Sequence, residues 1–257
     1  MGGVLLVAAR LPPSTDVLAE AARLTGLALA DVRSRLAGAL PRVLLTDPDP
    51  ERARETAAAL EAVGFVMLSC DPRAIPGDDD RLLARKLEWA PGGALQVVDK
   101  RGETEEVVPA SLLLIQKGVR ATSKTEVTKK SERRFDLGRA VLSGGLLLTK
   151  KVETTLTKTM STRDGFILLH RCDGGRDVMI YERRIDYRFL GGDLQPSSAA
   201  NFDRLLARLR AWAPRVPFDD RIIRPGFVSG LPATSAAPVD LALWLVQLVH
   251  LRGVAPV

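Results

Sequence analysis

Five residues punctuate the first seventy so closely that few folds remain open to them: Gly26, Gly38, Pro41, Pro50 and Gly64. Glycine ends helices by taking the left-handed conformation, and proline opens a helix or closes one. Between these marks the apolar spacing is regular. Val4–Ala9 reads as a buried strand that Pro12 and Pro13 end. Ser14 or Thr15 caps a helix with Asp16 in its first turn, and Val17, Leu18, Ala21, Ala22 and Leu24 repeat at helical spacing up to Gly26. Leu29, Val32 and Leu36 carry a second helix, closed by Gly38 and Pro41. A strand follows at 42–47. "DPDPERARETAAALEAVG" then has an Asp cap, Pro50 at the first position, Glu51 in the first turn and Gly64 as the C-terminal stop. A strand at 65–70 completes a β-α-α-β-α-β order.

"LTGLALADVRSRLAGALPRVL" and "ERARETAAALEAVGFVML" resemble the C-terminal domain of the bacterial ribosomal stalk protein, a fold shared with the Clp-protease adaptor. The matching features are the Thr25-Gly26-Leu27 turn, the Pro41 exit and the Ala62-Val63-Gly64 helix end before a strand. The resemblance spans residues 3–71 and implies a small platform for binding peptide or protein. The two lysine positions of the stalk protein's factor-binding helix fall here on Ser14 and Ala19, and an arginine position on Ala22, while Glu20 adds an acid. The fold carries over; that binding surface does not.

Residues 72–81 lie within "DPRAIPGDDDR" and read as a linker, with Asp78, Asp79 and Asp80 solvated. From 82 to 214 the pattern turns to strands. "ALQVVDKRGETEEVVP" is a hairpin, and "GFILLHRCDGGRDVMIYERR" is a second one turned at Asp173–Gly175. "IDYRFLGG" reads as a further strand. Ser197 or Ser198 caps a helix whose apolar face is Phe202, Leu205, Leu206, Leu209 and Trp212, ended by Pro214. Strands followed by one amphipathic helix, with "FDLGRAVLSGGLLLTKK" between basic strands, weakly resemble bacterial pleckstrin-homology-like domains. That resemblance implies a barrel plugged by its helix. Residues 215–257 form an extended arm and a last helix, apolar nearly all round, that must bury against something. Trp244 and Leu248 mark it as core or partner-binding. The fold expected is therefore α+β: a 1–71 stalk-like domain, a 72–81 linker, a mainly antiparallel, barrel-like domain at 82–214, and the arm.

The net charge of +6 is concentrated. Residues 117–163 hold twelve Lys and Arg against four acids, so that segment is +8 and the rest −2. Lys124, Lys129, Lys130, Arg133, Arg134, Lys150 and Lys151 bracket an apolar stretch containing Leu146, Leu147 and Leu148. Such a cluster attracts nucleic acid, or an anionic membrane surface into which the leucines dip. Phe135 is the only aromatic residue between 117 and 163, so a base-stacking platform is missing. The alternative is a solvated strand face whose lysines block edge pairing.

Catalytic signals are sparse. His170, Cys172 and Asp173 form the only His/Cys/Asp cluster, and strand alternation puts the first two on one face, as a thiol–imidazole hydrolase needs. Against it, Asp173 is an ordinary turn residue. Two histidines and two cysteines are too few for the usual zinc sets. No phosphate-binding glycine loop is present. Two cysteines do not make a disulfide scaffold, which places the chain in the cytoplasm. The expectation is a non-enzymatic adaptor without cofactor, metal or small-molecule substrate. Its partner is another protein or a second copy of itself, with nucleic acid or an anionic membrane as the alternative and a Cys172/His170 hydrolase third.

Overall fold

The computed structural model describes residues 3–12, 16–135 and 149–254, with 122–135 and 149–161 described by their backbone alone. The chain forms two compact units, Met1–Val119 with Gly165–Val257, and Arg120–Asp164. Helices and sheets coexist, in an α+β arrangement.

In the first unit the elements run β1 (Val4–Arg10), α1 (Val17–Thr25), α2 (Leu29–Arg35), β2 (Arg42–Asp47), α3 (Pro50–Ala62) and β3 (Val66–Cys70). Gly26 ends α1 at φ 68°, where a side chain would be strained. The cap expected at Ser14 or Thr15 lies outside the described residues. Asp16 stands at the cap position without a side-chain cap hydrogen bond, and Glu20 is the first-turn acid. Asp49 caps α3 by accepting the Glu51 N–H at 3.0 Å. The sheet order is β2-β1-β3, antiparallel throughout. One face of β1, Leu6 and Ala8, packs with Leu44 and Met67 on Ala21, Val32, Ala53 and Leu60 of the three helices.

The remaining strands are β4 (Leu82–Leu83), β5 (Lys86–Trp89), β6 (Leu95–Val98), β7 (Thr104–Val107), β8 (Leu112–Phe135), β9 (Thr149–Arg171), β10 (Val178–Tyr181) and β11 (Phe218–Asp219). Two helices join them, α4 (Ser198–Trp212) and α5 (Pro238–Leu251). The barrel expected over 82–214 does not close among the described residues. Its strands divide into an open sheet ordered β11-β8-β9-β10-β4 and a separate β5-β6-β7 meander. The edge pairs β11–β8 and β10–β4 are parallel. The reason lies in runs such as "FILL", which are apolar on both strand faces and so need cover on both sides. Ile115, Ile167, Leu169, Val178 and Ile180 meet α4 and the meander. Leu114, Phe166, Leu168, Met179 and Tyr181 meet Ala242, Leu243 and Val246 of α5.

Helix α5 is covered on its other side as well. Leu241, Leu245 and Val249 pack on Leu5, Val7, Ala9, Leu68 and Cys70, the second face of the first sheet. The last helix is thus a middle layer between two sheets, which accounts for its all-round apolar sequence. The first seventy residues do not bury both faces of their sheet by themselves.

Three local expectations change. Residues 72–81 form two short 3-10 turns in which Asp79 and Asp80 are exposed, as expected, but Pro72 and Arg81 are buried, so the segment is packed at both ends. The arm is packed, with Phe227 fully buried and Phe218–Asp219 paired to β8. "IDYRFLGG" is a 3-10 segment, Tyr187–Asp193, because the Asp186 side chain accepts the Arg188 N–H and turns the chain, and Gly191 then takes φ 55°. The hairpin expected at 94–109 is β6–β7, turned over Asp99, which accepts from the Arg101 and Glu103 N–H groups.

The second unit, Arg120–Asp164, holds residues 120–135 of β8 and 149–164 of β9.

Candidate functional site

Five polar residues, on or next to the five strands of this sheet, form a single, largely buried row. Asp219 lies on β11 opposite Gln116 on β8. His170 follows on β9, then Asp177 immediately before β10, and Arg81 immediately before its partner strand β4. Strand parity puts Gln116 and His170 on the side of Leu114 and Leu168, under α5. His170 Nε2 contacts Gln116 Oε1, and His170 Nδ1 lies 2.7 Å from Asp177 Oδ2. The other Asp177 oxygen accepts the Arg171 N–H at 2.8 Å.

Both ends of α5 close the row. Asp240 in its first turn accepts from Arg81 at 2.6 Å, and His250 in its last turn lies 3.0 Å from Asp219. The Asp240 carboxylate suits the positive, N-terminal end of the helix dipole. Arg81 also reaches the Pro76 carbonyl at 2.9 Å, and Tyr181 Oη donates to Asp78 at 2.6 Å. Arg221 forks onto Asp219 and donates to the Leu40 carbonyl.

Burial pushes the His170 pKa down, toward the neutral ring; the Asp177 carboxylate opposes this, while the Arg81 and His250 charges reinforce it. At Asp219 burial works against ionisation, yet hydrogen bonds from His250 and Arg221 outweigh it and bring the carboxyl down to about 2. Cys70 is buried in the first sheet, and burial pushes its thiol up to about 12.

The residues singled out in the sequence fall apart from this row. Lys124, Lys129, Lys130, Arg133 and Arg134 lie on β8, and Lys150 and Lys151 on β9, all within the 120–164 unit. Leu146, Leu147 and Leu148 lie outside the described residues. Trp244 and Leu248 are half-buried on α5 against the first sheet. The His170/Cys172 pair is not assembled. The strand ends at Arg171, so alternation no longer governs Cys172, which is exposed with its Sγ 3.8 Å from the Ala110 carbonyl. His170 turns inward, 1% exposed, and both ring nitrogens are occupied. Gln116, Asp177, Asp219, Arg81 and Asp240 escaped the sequence reading; the available signal was a lone polar residue inside an apolar run, as in "LLLIQKG" and "VDLALWL".

Among the described residues no group of three His, Cys, Asp or Glu side chains is placed to hold a metal ion, and no helix is long and apolar enough to cross a membrane. A groove of about 570 Å³ runs beside β2, lined by Leu27, Arg35, Val43, Thr46 and Leu231 and by no acid, histidine or cysteine. A depression of about 160 Å³ at Leu40, Phe218, Asp220 and Arg224 abuts the Asp219 end of the row. Comparison with protein-family models, with curated proteins and with solved structures gave no match.

Proposed function

We propose that this chain is a non-catalytic cytoplasmic adaptor that holds a second macromolecule, another protein, against its basic 120–164 segment. The observation that carries this reading is how charge divides between the units. Residues 120–164 contain eleven Lys and Arg and five acids, a net +6, which is the charge of the whole chain. The rest is balanced, at 26 of each sign. Balanced charge in one unit and excess in the other favours long-range attraction of an acidic partner to that segment. The inward-facing His170 and the separation of Cys172 from it argue against a thiol hydrolase. The stalk-like reading of residues 3–71 belongs to the same proposal; the β-α-α-β-α-β order and the antiparallel sheet support it. The pleckstrin-homology-like reading of 82–214 rests on strands followed by α4.

The test is recovery of partners from host lysate, at low and high salt, by the intact chain and by a variant with Lys129, Lys130, Lys150 and Lys151 changed to Ala. A protein recovered in fixed ratio by the intact chain, resistant to nuclease and lost with the four lysines, is the expected result. The second reading, nucleic acid or an anionic membrane surface, is favoured by the same excess charge. It wins if purified chain binds DNA or phosphatidylserine vesicles with an affinity that falls steeply in salt while no protein is recovered.

A further inference from the structure

The hydrogen bonds around His170 fit two protonation states of the ring, each with its own orientation of the Gln116 amide. Asp177 accepts from the Arg171 N–H through Oδ1 and faces His170 Nδ1 through Oδ2, so it acts as an acceptor at both oxygens. Nδ1 must therefore carry a hydrogen. Nε2 then decides the charge: a lone pair there makes the ring neutral, and a hydrogen makes it imidazolium. Gln116 Oε1 faces Nε2, and an oxygen can only accept. That arrangement requires the imidazolium. It also leaves Gln116 Nε2, on a fully buried side chain, without a partner. A neutral ring requires the amide turned over, so that Nε2 of Gln116 donates to Nε2 of His170 and the unpartnered donor is used.

We infer that Gln116 and His170 form a proton-linked amide switch between β8 and β9: the amide presents its NH₂ to the neutral ring and its oxygen to the imidazolium. The surroundings set which state holds at neutral pH. Asp177 before β10 favours the proton. Arg81 before β4 and His250 on α5 oppose it, and each of them is itself bonded to a carboxylate, Asp240 and Asp219. Arg221 adds a further cation beside Asp219. The site is sealed, with His170 99% out of solvent and Gln116 wholly so. The neutral ring with the turned amide is the resting state, and acid drives the exchange. Both residues sit on the two strands that continue into the basic 120–164 segment.

The experiment is a pH titration of ring ¹⁵N shifts in the full chain, which has only His170 and His250; a His250→Asn variant assigns the signals. The expected wild-type result at pH 7.5 is a neutral His170 ring bearing its hydrogen on Nδ1. Gln116→Glu places an acceptor-only carboxylate at Nε2 and raises the proton affinity of His170 more than tenfold. Gln116→Met keeps the site buried but offers Nε2 no donor, so its midpoint stays below the ordinary histidine value and falls between those of the wild type and Gln116→Glu. An imidazolium or an Nε2–H tautomer in the wild type at pH 7.5 overturns the inference. So does a Gln116→Glu midpoint equal to that of the wild type. If Gln116→Glu does not fold, the wild-type tautomer alone decides.

Discussion

The two units treat charge in opposite ways. In the first, positive and negative residues are equal in number, and buried side chains of opposite type are set against each other, Arg81 with Asp240 and Arg221 and His250 with Asp219, while buried Arg42 is held by the Gly226 and Phe227 carbonyls. In the second, eleven cations face five acids over forty-five residues. Paired interior charges are expensive to break but add little net stability, since their desolvation offsets their attraction. Unpaired excess charge does the reverse, weakly opposing compaction while attracting partners at a distance. Substitutions should therefore sort by unit. Those in the first unit should change folding, and those in the second should change binding.

The sharpest break comes at Asp240. Asp240→Ala leaves the buried Arg81 guanidinium with only the longer Asp78 contact at 3.4 Å as its charge partner and should cost about 3 kcal/mol, read as a lower denaturant midpoint at unchanged slope. Next is Leu245→Ala, which opens a cavity between α5 and the first sheet and should cost about 3 kcal/mol. If residues 3–70 folded independently of α5, this change would leave their amide protection intact; the shared core requires that protection at Leu5 and Val7 fall with the global stability. In the second unit, Lys129, Lys130, Lys150 and Lys151 changed together to Ala should move stability by less than about 0.5 kcal/mol. On a polyanion the same variant should flatten the salt dependence by about one unit of slope for each lysine in contact. A large loss of stability with unchanged salt slope would erase the contrast between the units.

How much of this was legible depended on where each residue's partner lies along the chain. α3 could be read from Asp49, Pro50 and Gly64 because a cap and a stop act within one turn. Gly26 ended α1 for the same reason. The 72–81 segment was misread because its composition is that of a loop, while Arg81 and Asp78 bond to Asp240 and Tyr181, 159 and 103 residues away. The final helix was legible as an element and as something that must be covered. That a sheet covers it on each side could not be read, since periodicity says how wide an apolar face is and not what meets it. The candidate row was hidden more completely. Gln116 and His170 are 54 residues apart, and only the strand order makes them neighbours. At Tyr187–Asp193 the local signal was present but outweighed: alternation suggested a strand, and the Asp186 turn prevailed.

Acid should weaken the two buried histidine–carboxylate pairs in turn, the His170 pair first. His170 has a native pKa below its ordinary 6.5, so the unfolded chain binds its proton first as pH falls. Its contribution is complete above pH 6.5 and is lost between 6.5 and the lower native value. Asp219, held down at about 2 against an ordinary 3.8, contributes above 3.8 and loses that contribution only below it. Thermal melts should thus decline in two steps. His170→Asn should abolish the upper step and spare the lower. A single decline beginning at pH 4 in the wild type would mean that His170 is not held neutral.

The smallest effect expected is at Cys172, and it bears on the contrast because this is the exposed cysteine of the balanced unit. A thiol-reactive probe on the native chain should label one cysteine per molecule at the rate of an ordinary exposed thiol, and a second only after denaturation. Cys70 is 2% exposed, and at a pKa of about 12 it holds about 10⁻⁴ of its thiol as thiolate at pH 8. His170→Asn should leave the Cys172 rate within about twofold, because an imidazole acts as a base only with a free nitrogen within reach of the sulfur. Both nitrogens of His170 are committed, one to Asp177 and one to Gln116, on the far side of a strand that ends before Cys172. A tenfold slowing in that variant would mean that the ring reaches the thiol, and the balanced unit would then have to be regarded as reactive.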